Sequence, residues 1–265
     1  MPADFLARII ERKTAEVAAA RRARPVADLA EASAGHPARR PFIEALSRPG
    51  PSGVNIIAEI KRASPSKGVI RADLDPAAQA AAYQRGGAAA VSVLTDGPGF
   101  SGSPDDLRAA REAVSLPVIR KDFIVSDYQL HETAAMGADA VLLIVRVLSG
   151  GQLADYLALA AELGLDALVE VHDEAELEPA AAAGATLVGI NNRNLRSFET
   201  SLKTAATMAA RLAPGQIPVA ESGITSPADI AYLREAGIFN FLIGESLVRS
   251  PDPESFLRTL AGGEP

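Results

Sequence analysis

From Val54 onward the chain alternates between short apolar runs and alanine-rich stretches of helical spacing, with a polar or glycine-bearing loop between them. The unit recurs roughly every 20 to 30 residues in form, though not in letters. An opening run over 55–60 is followed by runs at 89–95, 116–121, 138–145, 167–171, 186–191, 217–221 and 239–244. These are bounded like strands and lack the polar alternation of a half-solvated sheet, which is the signature of parallel strands buried on both faces. Helical patterns follow them at 77–85, 105–113, 128–136, 153–163, 174–182, 202–212, 227–235 and 254–260. Eight such pairs predict an α/β fold, a closed (β/α)8 TIM barrel. An open doubly wound sheet is the alternative; if it bound a dinucleotide it would carry Gly-x-Gly-x-x-Gly after its first strand, and the segment directly after that strand has no such spacing. Gly86-Gly87, Gly137, Gly164, Gly184 and Gly237 stand where helices must stop. Ser226-Pro227 reads as a cap followed by proline at the first helical position.

The first 50 residues differ. Leu6, Ile9, Ile10, Thr14 and Val17 share one face of an amphipathic helix with Asp4 as its expected cap, and Pro25 ends it. Arg21, Arg22 and Arg24 read as a solvated helix end, and 41–46 as a second short helix before the turn-rich 48–53. We expect a single domain over 1–265, with 1–50 a helical extension and 54–262 the barrel; barrels of this length commonly form one domain.

Composition narrows the function classes. Hydrophobic residues make up 48% of the 265 and charged residues 22%, the usage of a globular protein. No apolar run approaches the ~18 residues that span a bilayer, and the start lacks a basic and an apolar leader region, so a cytoplasmic address is expected. Absence of cysteine removes disulfides, thiolate metal sites and cysteine nucleophiles, and His36, His131 and His172 show no ligand spacing, so no metal site is expected. A net charge of −7 speaks against nonspecific nucleic-acid binding but not against an anionic small substrate, which feels the local field of a cleft.

Barrel enzymes build their sites at the carboxyl ends of the strands. Here the first strand delivers Glu59, Lys61 and Ser64, with Glu59 and Lys61 on one face because they are two apart. The third ends in Lys121-Asp122-Phe123, the fifth in Glu170, and the sixth in Asn191-Asn192-Arg193. The seventh ends in Glu221-Ser222-Gly223 and the eighth in Gly244-Glu245-Ser246. Any one of these is compatible with an ordinary strand end; together they are not what a structural core requires. Lysines facing glutamates in a partly dry cavity hold opposite protonation states, the requirement for acid and base work at neutral pH. Glu59 near the lysines favours their charged forms, which suits proton donation rather than attack on a carbonyl. Arg193 offers a planar fork for a carboxylate or phosphate. Ser222, Gly223, Gly244 and Glu245 follow the seventh and eighth strands, where this fold often binds phosphate. Ser64-Pro65-Ser66-Lys67-Gly68 and the glycine-rich 96–103 are two loops able to cover the site, and Phe100 and Phe123 are candidate contacts for a flat apolar ring.

With these residues in hand, the chain resembles the indole-3-glycerol-phosphate synthase family over essentially its whole length. The resemblance runs through Ile57-Ala58-Glu59-Ile60-Lys61-Arg62-Ala63-Ser64-Pro65-Ser66-Lys67-Gly68, Arg120-Lys121-Asp122-Phe123-Ile124 and Leu168-Val169-Glu170-Val171-His172. It continues through Gly189-Ile190-Asn191-Asn192-Arg193-Asn194-Leu195, Ala220-Glu221-Ser222-Gly223-Ile224 and Leu242-Ile243-Gly244-Glu245-Ser246-Leu247. It implies a carboxy-lyase of tryptophan biosynthesis that needs no cofactor or metal. On the family pattern Lys121 is the general acid, Glu170 serves in dehydration, Lys61 lies near the substrate carboxylate and shares the acid role, and Glu59 orients the lysines. Asn191 and Glu221 complete the catalytic set. Ser64, Phe100, Phe123, Arg193, Leu195 and Ser222 are implied substrate contacts, and Ser222, Gly223, Gly244 and Glu245 the phosphate cradle. The implied partner is a small phosphorylated substrate, with no nucleic acid or membrane, and a monomer is favoured. Gly99 before Phe100 departs from the bulky pair often found there in the family.

Three other readings remain to be separated. Phosphoribosylanthranilate isomerase, another phosphate-binding barrel, looks for a cysteine base that this chain lacks. A Schiff-base aldolase would use a strand-end lysine as nucleophile, and a barrel without catalysis would serve as a scaffold.

Overall fold

Strands form where the apolar runs stand, because a run with no polar side leaves the backbone nowhere to go but the inside of a sheet. The computed structural model of the chain describes residues 3–194 and 197–263. Among them, eight parallel strands close into a barrel: β1 (Asn55–Ile60), β2 (Ala90–Leu94), β3 (Val118–Lys121), β4 (Ala140–Ile144), β5 (Asp166–Val171), β6 (Leu187–Asn191), β7 (Ile217–Glu221) and β8 (Asn240–Ile243). Each pairs with its sequence neighbours, and β1 pairs with both β2 (Ile57 beside Ala90) and β8 (Asn55 beside Asn240), which leaves no edge.

Alternation along each strand divides the core. Ile56, Ala58 and Ile60 face outward to the layer of helices, while Ile57 joins Ala90, Ile119, Leu142, Leu168, Val219 and Leu242 inside the barrel. Continuing that inward row up β1 puts Glu59 and then Lys61 into the barrel mouth.

The helices alternate with the strands as expected, within a few residues at their ends. Before the barrel come α1 (Ala3–Ala23), α2 (Val26–Ala34) and α3 (Phe42–Leu46). Outside it lie α4 (Pro76–Arg85), a short α5 (Gly97–Phe100), α6 (Pro104–Ala113), α7 (Tyr128–Ala135), α8 (Gly150–Glu162) and α9 (Leu177–Ala182). The series ends with α10 (Leu202–Ala209), α11 (Pro227–Glu235), α12 (Glu245–Arg249) and α13 (Pro253–Leu260). Ser226 caps α11 through a reciprocal bond with Asp229, and the helix stops Gly87, Gly137, Gly164, Gly184 and Gly237 take positive φ; Gly86 stays right-handed at −72°.

Four details differ from the sequence reading. The first helix begins at Ala3, so Asp4 lies within it and is not its cap. Pro25 ends α1 but also starts α2, which the pattern had not marked; its buried Leu29 packs on Tyr128 and Ala135 of α7. Arg21 is not simply solvated: its guanidinium meets Asp127 at 2.5 Å and lies 5.4 Å over the Tyr128 ring. The glycine-rich 96–103 contains the single turn α5, capped by Asp96 and opened by Pro98.

α3 sits beneath the barrel. Phe42 and Leu46 are fully buried in the inner core, and the Ile43 N–H donates to Asp166 at the start of β5 (2.8 Å). The lower end of the barrel is thereby filled, and the cavity lies at the carboxyl ends of the strands.

Candidate active site

Six strand ends converge on one cavity of about 660 Å³. Glu59, Lys61, Ser64, Phe100, Lys121, Phe123, Glu170, Asn191, Arg193, Glu221, Ser222, Gly223, Gly244 and Glu245 all line it. Leu195 lies outside the described residues. Leu6 of α1, Lys67, Phe198, Thr200 and Arg249 also face the cavity, and the strand-end rule had not marked them as site residues. Lys67 stood in a loop already read as a cover, whereas Leu6 carried no signal beyond an apolar helix position.

Two lysines are held in different ways. Lys61 Nζ lies 2.6 Å from Glu59 Oε1, as their shared face requires. Lys121 Nζ is gripped by Glu170 Oε2 and Glu221 Oε2, each at 3.0 Å. Burial works against the Lys121 ammonium, but Glu170, Glu221 and Glu59 outweigh it and hold the group above the ordinary lysine range. At neutral pH it is a cation aimed into a partly dry pocket.

The two glutamates that share Lys121 are not alike. Glu170 has a second cation on its far side: His172 Nε2 stands 3.1 Å from Glu170 Oε1, which also accepts from Asn191 Nδ2 at 3.2 Å. Burial raises the Glu170 carboxyl, yet Lys121 and His172 more than reverse this and hold it well below the usual carboxylate range. Glu221 Oε1 is buried with no hydrogen-bond partner among the described residues. Burial therefore dominates there; Lys121 opposes it, the negative Glu170 adds to it, and the carboxyl is pushed up to about 7. His172 also contacts Glu176 through Nδ1 at 3.4 Å, and Glu176 in turn binds Arg146 at 2.6 Å. Burial disfavours the charged imidazole, but Glu170 and Glu176 outweigh it and push it up to about 9. A buried chain of alternating charge thus backs the cavity floor.

Small residues make room for these charges. A methyl group on Gly189 would lie 2.1 Å from Glu221 Oε1, and one on Gly244 would lie 2.4 Å from Glu59 Oε1 and 2.9 Å from Lys61 Nζ.

The walls suit an amphiphilic ligand. Phe100 and Phe123 stand with ring centroids 6.3 Å apart, tilted by 41°. Arg193 donates to the Ser66 hydroxyl, and its N–H bonds Asn191 Oδ1 at 3.0 Å, so the loop after β1 meets the loop after β6 across the mouth. The Ser64 hydroxyl is buried without a partner among the described residues. Between those two loops, at the ends of β7 and β8, Ser222 and Gly223 adopt consecutive positive φ (67° and 79°), and Gly244 precedes α12. Glu245, the first residue of α12, turns its carboxylate to Arg249 Nε (3.1 Å). The set can perform acid-base chemistry, and its walls can accommodate an aromatic part beside an anionic end.

The family model described as indole-3-glycerol phosphate synthase matches residues 6–260. A protein of that name from Desulfosudis oleivorans is 56% identical over 97% of this chain and 98% of its own length. One from Syntrophobacter fumaroxidans is 53% identical over 98% of both, and one from Bordetella pertussis is 49% identical over 94% of this chain and 96% of its own. Among solved structures, an N-acetylmannosamine-6-phosphate 2-epimerase from Clostridium perfringens superposes with a TM-score of 0.60 at 13% identity, covering 80% of this chain and 93% of that one. A thiamine phosphate pyrophosphorylase from Pyrococcus furiosus gives 0.59 at 13%, covering 79% and 94%. At such identity these two show the barrel fold alone.

Proposed function

The chain belongs to the indole-3-glycerol phosphate synthase family and carries out that family's carboxy-lyase reaction in tryptophan biosynthesis; from that premise we propose how the work is divided among its side chains. The reaction closes 1-(2-carboxyphenylamino)-1-deoxyribulose 5-phosphate to indole-3-glycerol phosphate with loss of carbon dioxide and water. The observation that carries the proposal is the Lys121 ammonium gripped by Glu170 and Glu221 on the cavity floor.

The attacking ring carbon is a weak nucleophile, so the sugar carbonyl must be polarised by a cation that can also give up a proton. Lys121 fills that role. As the ring carbon bearing the carboxylate bonds to the carbonyl carbon, the Lys121 proton passes to the carbonyl oxygen and leaves a hydroxyl. Scission of the carboxylate bond releases carbon dioxide and returns its electron pair to the ring. Departure of the hydroxyl as water then takes one proton from the Lys61 ammonium, and another is lost from the carbon next to the ring nitrogen. Glu170, held ionised by Lys121 and His172, is the base of that step, and Asn191 fixes its direction. Glu221 sets the position of Lys121. Lys61, paired with Glu59, faces the substrate carboxylate until it leaves and shares the acid role. Phe100 and Phe123 flank the aromatic ring, Ser64 and Arg193 bind its polar substituents, and the backbone at Ser222, Gly223, Gly244 and Glu245 takes the phosphate.

A lysine held protonated is a poor Schiff-base nucleophile, which sets the aldolase reading aside. Borohydride with substrate is expected to leave Lys121 unmodified. Mixing the protein with the carboxyphenylamino-deoxyribulose phosphate should produce indole-type fluorescence, and Lys121→Ala should lower kcat by about 10³-fold. Well-folded wild-type protein giving no product would move the scaffold reading to the front. We further infer a monomer in the cytoplasm: among the described residues the exposed large apolar side chains are three, Val69, Phe198 and Tyr232, fewer than an extensive apolar interface needs. Light scattering after size exclusion tests the monomer.

A further inference from the structure

α1 carries a buried lysine that the reaction does not use. Lys13 is only 5% exposed, and an ammonium so placed is costly unless it is fully paired. Its Nζ lies 2.8 Å from Asp96 Oδ1, 2.8 Å from Asp122 Oδ1 and 3.2 Å from Glu16 Oε2, one carboxylate for each of its three N–H bonds. Burial opposes the charge, yet Asp122 and Asp96 outweigh it and hold Lys13 above the ordinary lysine range.

The two aspartates belong to different strand ends, and each governs an aromatic ring. Asp96 follows β2; its Oδ2 accepts the Gly99 N–H at 3.3 Å and caps α5, whose last residue is Phe100. Arg12 reinforces it from α1, at 2.9 and 3.2 Å. Asp122 follows Lys121; its Oδ1 accepts the Phe123 N–H at 2.8 Å. Its Oδ2 takes the Thr95 hydroxyl (2.7 Å) and the Arg120 guanidinium (3.0 Å). One ammonium on a helix outside the barrel therefore ties together the loops that carry Phe100 and Phe123.

We propose that Lys13 is a positioning residue that sets the separation of Phe100 and Phe123, and through them the grip on the aromatic ring of the substrate. The proposal rests on the reading of that pair as the ring contact given above. It explains why an ion pair stands here at all: for holding a helix to a barrel, an apolar side chain of similar volume would serve as well or better. Bridging two carboxylates on independent loops is a task that apolar packing does not perform.

The experiment compares wild type, Lys13→Met and Asp96→Asn, each alone and combined with Phe100→Ala, by steady-state kinetics on the carboxyphenylamino-deoxyribulose phosphate. Lys13→Met is expected to raise KM about tenfold with kcat within about twofold of wild type, and to add little further in the Phe100→Ala background, because both changes act on one contact. Asp96→Asn keeps the capping oxygen and breaks the bridge on one side only, so it answers the same question if Lys13→Met folds poorly; it should raise KM in the same direction. An unchanged KM, or a penalty that multiplies in full with that of Phe100→Ala, would reduce Lys13 to an anchor for α1 and overturn the proposal. Wild-type protein without activity would instead sink the functional reading beneath it, a separate result.

Discussion

Gly189 has no side chain, and that is what lets Glu221 reach Lys121. The residue sits on β6 at ordinary φ, so the constraint is space and not backbone conformation. Gly189→Ala should push Glu221 off Lys121, lower kcat by about 10²-fold and cost about 1 to 3 kcal/mol of stability. Steady-state kinetics with urea unfolding check both, and a variant with wild-type kcat would show that Glu221 is not needed where it stands. His172 gives a prediction of a different kind. Its folded value, about 9, lies above the ordinary 6.5, so its contribution is fully present below about pH 6.5 and is lost as pH rises through about 9. The full swing corresponds to roughly 3 kcal/mol. The groups facing the ring are Glu170 and Glu176, with Arg146 behind the latter. Urea unfolding at about pH 6 and about pH 9.5 should show wild type losing stability across that window and His172→Asn losing about that much less. Equal slopes would mean that folding does not raise the His172 imidazole above its ordinary value.

Among the elements, α3 does a job that its sequence hardly advertises. Phe42 and Leu46 fill the lower end of the barrel and do not line the cavity, so Phe42→Ala should cost about 3 to 5 kcal/mol and leave KM nearly unchanged. We propose that extension and barrel form one folding unit, and the check is a single thermal transition moved to lower temperature in the variant; a separate early transition for the extension would refute it. The barrel itself was legible because parallel strands buried on both faces read as unbroken apolar runs, and a polar residue ending such a run marks the open mouth of the barrel. That is why Glu59, Lys121, Glu170 and Glu221 were legible as a group. α2 was not, since Pro25 reads first as a stop, and among its nine residues only Leu29 is buried, by partners on α7 that no local pattern reveals. α5 was missed because Gly-Pro-Gly opposes helix formation; the turn exists through Asp96, whose own geometry depends on α1. Lys13 falls between apolar neighbours on an amphipathic helix and reads as a solvated charge. Its burial comes from two distant strand ends meeting over it.

For the molecule as a whole, the net charge of −7 and the site pull in opposite directions on a doubly anionic substrate. At long range the total charge repels it, whereas within the cavity the carboxylates are already engaged: Glu59 with Lys61, Glu170 and Glu221 with Lys121, Glu245 with Arg249. Lys67 and Arg193 line the mouth with no carboxylate partner among the described residues, so the field nearest the entrance is positive. At physiological ionic strength charges are felt over about 8 Å, which favours the two rim cations over a total spread across the whole surface. KM is therefore expected to rise several-fold as salt is raised from about 20 mM to about 500 mM, with kcat unchanged and the dependence flattened in Lys67→Gln. The opposite trend, KM falling with added salt, would mean that the overall negative charge governs encounter and that the rim cations do no steering.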